Sequence, residues 1–146
     1  MNRTVLVVLG AGFIIVGLVG LVSPHFMGAH LSKAHNCIHL LSGIIALYFG
    51  SKTNPAGSRQ FAVAFGIIYA LLGIIGFAAG VPVVASIHGM EQASSDSHLL
   101  ILIPGSLVFG TTDHIMHLVI GGFLIFAGIP QRGLNRTEFP ERLSQS

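Results

Sequence analysis

The sequence predicts an all-α membrane protein, a four-transmembrane-helix bundle built from two tandemly repeated helical hairpins, with the N and C termini in the cytoplasm. Three observations lead there. Of 146 residues, 52% are hydrophobic and 8% are charged, against roughly 25% charged in a soluble domain; so few charges cannot cover a water-facing surface. Four apolar runs of near-bilayer length alternate with polar connections. The first half of the chain also recurs in the second.

The first span is expected at about 5–22. Arg3 precedes 18 apolar residues, Val5 to Val22, near the lower limit of the roughly 20 needed for a crossing. A charged start before an apolar stretch also fits a signal peptide, but Ser23-Pro24-His25 is no small-residue cleavage site. A loop with Pro24, His25, Met27, His30 and Lys33 leads to the second span, about 35–50, which can begin a turn earlier, near Leu31. Ser51 to Ser58, SKTNPAGS, is a polar turn punctuated by Pro and Gly. The third span follows at about 60–80. Residues 81–111 form a long outer loop holding His88, Met90, Glu91, Asp96 and His98. Within it, 99–109 is apolar but broken by Pro104-Gly105 and too short to cross, so an interfacial or re-entrant segment is expected. The fourth span, about 112–129, completes one membrane domain over 1–130. Residues 131–146 are a polar cytoplasmic tail.

Basic residues set the orientation. Arg3, Lys52, Arg59, Arg132, Arg136 and Arg142 fall on one side of this arrangement and Lys33 alone on the other, which the positive-inside rule reads as cytoplasmic termini. All eight histidines then fall on the outer side or in the outer half of a span. The single cysteine, Cys37, excludes an internal disulfide and reads as a small packed side chain. A formal net charge of +2 without a basic stripe gives no reason to expect nucleic acid.

The repeat is carried by spaced glycines. Gly10, Gly17 and Gly20 recur as Gly66, Gly73 and Gly76 at an offset of 56, and His39-Leu40-x-x-Gly43 recurs as His117-Leu118-x-x-Gly121 at an offset of 78. The difference, 22 residues, lies in the outer loop. Two-span units repeated in one orientation imply a pseudo-two-fold axis along the membrane normal. The glycines Gly10, Gly17, Gly66 and Gly73 are the small residues that let membrane helices approach closely.

Polar groups at the mouths of membrane helices are costly and point to function. Residues four apart share a helix face, so His35 pairs with His39 and Asp113 with His117. The repeat then aligns His35 with Asp113, Asn36 with His114, and His39 with His117. His35, His39, Asp113 and His117 make a plausible ligand set for a transition metal, zinc, copper, iron or manganese, with facing-helix ligand pairs as in inner-bundle metal proteins. Asn36 and His114 are further ligands or partners that fix an imidazole tautomer. Two other readings stand beside this one. The cluster is interhelical hydrogen-bonded glue, or His39 and His117 are the axial ligands of a haem or hold a chlorophyll-type pigment. The outer-side His25, Met27, His30, His88, Met90 and His98 are soft or borderline ligands able to pass an ion inward, or ordinary interfacial residues.

These motifs carry a resemblance. His35-Asn36-x-x-His39-Leu40-Leu41-x-Gly43, Asp113-His114-x-x-His117-Leu118-x-x-Gly121 and the run FGIIYALLGIIGF from Phe65 to Phe77 resemble an uncharacterised bacterial domain-of-unknown-function family of small four-span membrane proteins. The resemblance extends over most of 5–129. It implies a four-span fold in a bacterial inner membrane and no defined activity. That family usually has Asn where this chain has His114.

No nucleophile triad, phosphate-binding loop or dinucleotide fingerprint is present, and Glu91, Glu138 and Glu141 all lie outside the spans. The expectation is therefore a ligand-binding membrane protein rather than an enzyme. An accessory subunit of a larger membrane complex is the alternative. The lipid bilayer is the first partner, with other membrane subunits or a second copy of the chain as further ones. The inner halves of the spans are apolar or glycine, which argues against a through-pathway.

Overall fold

A computed structural model describes residues 2–24, 29, 31–82 and 96–130. Four helices carry the fold: α1, Asn2–Val22; α2, Lys33–Ser51; α3, Pro55–Ala79; and α4, Thr111–Gly128. Between α3 and α4 lies an antiparallel hairpin of two short strands, β1, Leu100–Ile103, and β2, Leu107–Phe109. The helices pair as α1 with α2 and α3 with α4, and α1 and α3 make the main contact between the two hairpins.

Three helices, α1, α3 and α4, are long and apolar enough to cross a membrane. Large apolar side chains such as Ile15, Leu18, Leu41, Ile74, Val119 and Phe126 point outward on all four helices, as lipid-facing surfaces require. Helix α2 has 19 residues, but Lys33, His35, Asn36 and His39 in its first two turns dilute its apolar character.

The helices begin earlier than their apolar runs, because caps rather than hydrophobicity start a helix. The Ser32 hydroxyl accepts from the His35 amide at 3.2 Å and opens α2. Asn54 accepts from the Gly57 amide at 2.8 Å, with Pro55 at the first helical position. The polar turn expected over 51–58 is thereby reduced to a few residues. Its Thr53 and Ser58 hydroxyls both donate to the Phe49 carbonyl, at 2.6 and 2.7 Å.

The segment 99–109 departs from the all-α expectation. Gly105 adopts φ +70, a left-handed conformation that suits glycine, and turns the chain so that Leu100 pairs with Phe109. Leu100, Leu107 and Phe109 bury one face, packed on Ala34, while Ile101, Leu102 and Ile103 remain exposed. A single Val81–Leu99 bridge closes the connection behind α3.

Each hairpin is zipped by glycine in the same register. A Cβ on Gly43 would meet the Gly10 carbonyl at 2.7 Å, and one on Gly121 would meet the Gly66 carbonyl at 2.7 Å. Gly17 receives Leu40 as Gly73 receives Leu118, and Gly50 lies on Val7 as Gly128 lies on Val63. All these pairs obey the two repeat offsets. Gly12 and Gly122 have open space instead. Gly121→Ala should therefore lower stability by about 1–3 kcal/mol through overpacking against a helix backbone, read as the thermal midpoint in detergent. Gly12→Ala and Gly122→Ala should leave that midpoint unchanged or higher; equal losses at all three positions would refute the zipper.

Candidate functional site

The two hairpins meet along a column of aromatic rings. Phe49 stacks on Phe61 at 4.2 Å, Phe61 on Phe65 at 5.0 Å, and Phe65 contacts Tyr69 at 4.8 Å. Phe13 and Tyr69, which are repeat-equivalent, touch at 5.3 Å. Each then presents a histidine of its own hairpin with an edge. Phe13 and His39 stand 5.5 Å apart at 82°, and Tyr69 and His117 stand 5.2 Å apart at 83°. The pseudo-two-fold relation thus extends from the glycines into the aromatic and imidazole layer. The Ser42 side chain lies near the Tyr69 hydroxyl across the hairpin interface.

Above this layer sits His35, 2% exposed. Its Nε2 lies 2.9 Å from His39 Nε2, the product of an i, i+4 spacing. Its ring centre is 6.1 Å from that of His117 on the other hairpin. Phe109 of β2 covers the group, edge-on to His35 at 4.7 Å and to His117 at 5.3 Å. Three imidazoles from both hairpins are thereby gathered under one aromatic lid.

The remaining expected residues are placed differently. The Asp113 carboxylate reaches back to accept from the Gly110 amide at 2.8 Å, so one oxygen starts α4. It also acts electrostatically on His117, one turn ahead. Asn36 and His114 face α1 and α3 respectively, rather than the imidazole group. A Cβ on Gly20 would fall 2.1 Å from Asn36 Oδ1, and one on Gly76 would fall 2.1 Å from His114 Nδ1. Each lies in a notch that only glycine leaves open. Asn36 Nδ2 donates to the Leu31 carbonyl at 3.1 Å, and His114 Nε2 bonds the His98 carbonyl at 2.8 Å. His114 is therefore tied to the outer connection. Among the described residues, no three His, Cys, Asp or Glu side chains converge closely enough to hold a metal ion as they stand. His25, Met27, His30, His88 and Met90 lie outside the described residues, and the His98 ring packs on Phe77 at 5.4 Å.

Buried polar atoms at this end of the bundle remain unsatisfied within the described residues. They are Asn36 Oδ1, His39 Nδ1, His114 Nδ1 and His117 Nδ1. The four form two repeat-related pairs, Asn36 with His114 and His39 with His117. A buried polar atom without a partner costs about 1–3 kcal/mol, and here the cost recurs at the same level in both hairpins.

Asp96 was not among the expected site residues. Its Oδ2 accepts from the Thr111 amide at 2.9 Å, its Oδ1 accepts from the His98 amide at 3.1 Å, and it also takes the Thr111 hydroxyl. It satisfies the start of α4 from 15 residues upstream, too far for a capping motif to reveal. Asp96→Ala should destabilise the protein by about 1–2 kcal/mol and raise amide hydrogen exchange from Thr111 to His114. Unchanged exchange there would show that Asp113 alone holds the helix start.

Residues 8–78 match a family described as a short repeat of unknown function (DUF308). The expected resemblance to an uncharacterised family holds over that stretch, which covers α2, most of α1 and α3. No curated protein and no solved structure matches the chain significantly.

Proposed function

We propose that this chain is a four-span membrane protein that binds a transition-metal ion between its hairpins, through His35, His39 and His117. The observation that carries this reading is the 2.9 Å approach of the His35 and His39 Nε2 atoms beside the His117 ring. Two imidazole nitrogens sharing one zinc stand about 3.3 Å apart, given bonds of roughly 2.0–2.1 Å in tetrahedral geometry. Side-chain adjustments of a few tenths of an ångström suit the first two to that task. His117 completes the group from α4, with the Asp113 carboxylate as a nearby negative charge. Zinc, copper, iron and manganese all accept such a set, and imidazole favours the first three. A bound ion would supply Lewis acidity or redox chemistry there; the protein's own part is to exclude water with Phe13, Tyr69 and Phe109.

The same rings weigh against a haem or chlorophyll-type pigment on His39 and His117, since they fill the space a macrocycle needs. In this reading α2 also crosses the bilayer, because it packs along α1 from Asn36 to Gly50. The termini are then cytoplasmic, by the Lys/Arg distribution, and a bacterial inner membrane fits the resemblance of the motifs. A role as subunit of a larger complex remains compatible with the same site.

Elemental analysis tests the site. Protein purified gently from its native membrane should carry near-stoichiometric zinc, copper, iron or manganese. His39→Ala and His117→Ala should lose it while keeping wild-type helicity. Metal-free wild type, even after incubation with each ion, or equal metal in all three proteins, would overturn the proposal. A Soret or chlorophyll band in the wild type would redirect it to a tetrapyrrole.

A further inference from the structure

The repeat is broken at the end of the bundle opposite the imidazoles. Arg3 on α1 and Arg59 on α3 are equivalent at the offset of 56, and their backbones sit alike. The Arg3 carbonyl lies 3.0 Å from a Cβ built on Gly50, and the Arg59 carbonyl lies 3.0 Å from one built on Gly128. Their side chains do different things. Arg3 folds over the end of α2, donating from Nε to the Gly50 carbonyl at 3.0 Å and from Nη2 to the Ser51 carbonyl at 2.7 Å. This is the cation expected at a helix C-terminus. No described residue hydrogen-bonds or ion-pairs with Arg59. It lines a groove of about 430 Å³ beside the end of α4, with Gln60, Val63, Ala64, Ile67 and Gly128.

The order of these residues along α3 has a chemical meaning. Arg59 and Gln60 stand at the end of the helix, and Val63, Ala64 and Ile67 follow one and two turns deeper. Ala64 and Ile67 are exposed, on a helix apolar enough to span a membrane. A cation and an amide therefore sit at headgroup depth above an apolar channel at acyl-chain depth. The described acidic residues, Asp96 and Asp113, lie at the opposite end, so no carboxylate among them competes for the guanidinium.

We infer that this groove binds one anionic phospholipid, its phosphate on Arg59 and Gln60 and the upper part of an acyl chain along Val63, Ala64 and Ile67. A guanidinium matches phosphate through paired donors, and basic pockets between membrane helices hold anionic headgroups. The equivalent place in the first hairpin is closed by Arg3 itself, so the chain carries one such site rather than two.

The test uses the full chain in nanodiscs of equimolar phosphatidylcholine and phosphatidylglycerol, with retained lipids counted by native mass spectrometry. Wild type should retain phosphatidylglycerol about fivefold over phosphatidylcholine, as one basic side chain at a membrane surface provides. Arg59→Gln should abolish the preference, and Ala64→Phe should reduce lipid retention by filling the channel. Arg132→Gln, in the following segment, should leave both unchanged. Equal retention of the two lipids by wild type would overturn the site, as would a preference that survives Arg59→Gln. A preference that appears only after Glu138→Gln and Glu141→Gln would assign the groove to the chain's own tail and would overturn the lipid equally.

Discussion

Close backbone approach at glycine is the constraint on which the rest of this fold depends. In a lipid environment no hydrophobic force draws helices together, so packing and polar contacts must hold them. Here each hairpin brings two backbones together where Gly10 faces Gly43 and Gly66 faces Gly121. The approach sets the depth at which every other side chain sits. It puts Leu40 and Leu118 over glycines, and it lets Asn36 and His114 enter the notches at Gly20 and Gly76. With those polar groups turned inward to α1 and α3, only His35, His39 and His117 remain to face the seam between hairpins.

The two hairpins share a frame but not a chemistry. At three equivalent positions the first supplies His35, Asn36 and His39, the second Asp113, His114 and His117. The frame makes the ring contacts of His39 and His117 nearly superposable. The substitutions then divide the labour. The carboxylate caps its own helix and His114 ties α4 to the outer connection, while the first hairpin contributes two of the three clustered imidazoles.

Much of this was legible because it is periodic. The apolar runs, the glycine register and the repeated His-Leu-x-x-Gly need only local spacing to be read, and all four helices appear where those patterns lie. The facing of Asn36 and His114 was less accessible. Their adjacency to the clustered histidines in sequence suggested a common site, but about 100° of rotation per residue turns them to another neighbour. The segment 99–109 reads as an interfacial or re-entrant piece because an apolar run of that length carries no clear period. Pro104-Gly105 decides it, since Gly105 takes a left-handed conformation that folds two strands back on each other. Asp96 and the divergence of Arg59 from Arg3 depend on contacts distant in sequence, which spacing does not encode.

The seam between the hairpins carries unequal partners. Leu6 of α1 packs in one buried cluster with Ala62 of α3, its own repeat equivalent, and Leu124 of α4 joins them, while its equivalent Ala46 is also buried. Across the pseudo-axis a large residue therefore answers a small one. Two copies of the first hairpin would set leucine against leucine at the Leu6 level and alanine against alanine at the Ala46 level, and two copies of the second would do the reverse. Either pairing would be overfilled at one level of the seam and leave a hole at the other. The halves have become obligate complements, so exchange of hairpins between two chains preserves the core only if each first hairpin still finds a second one.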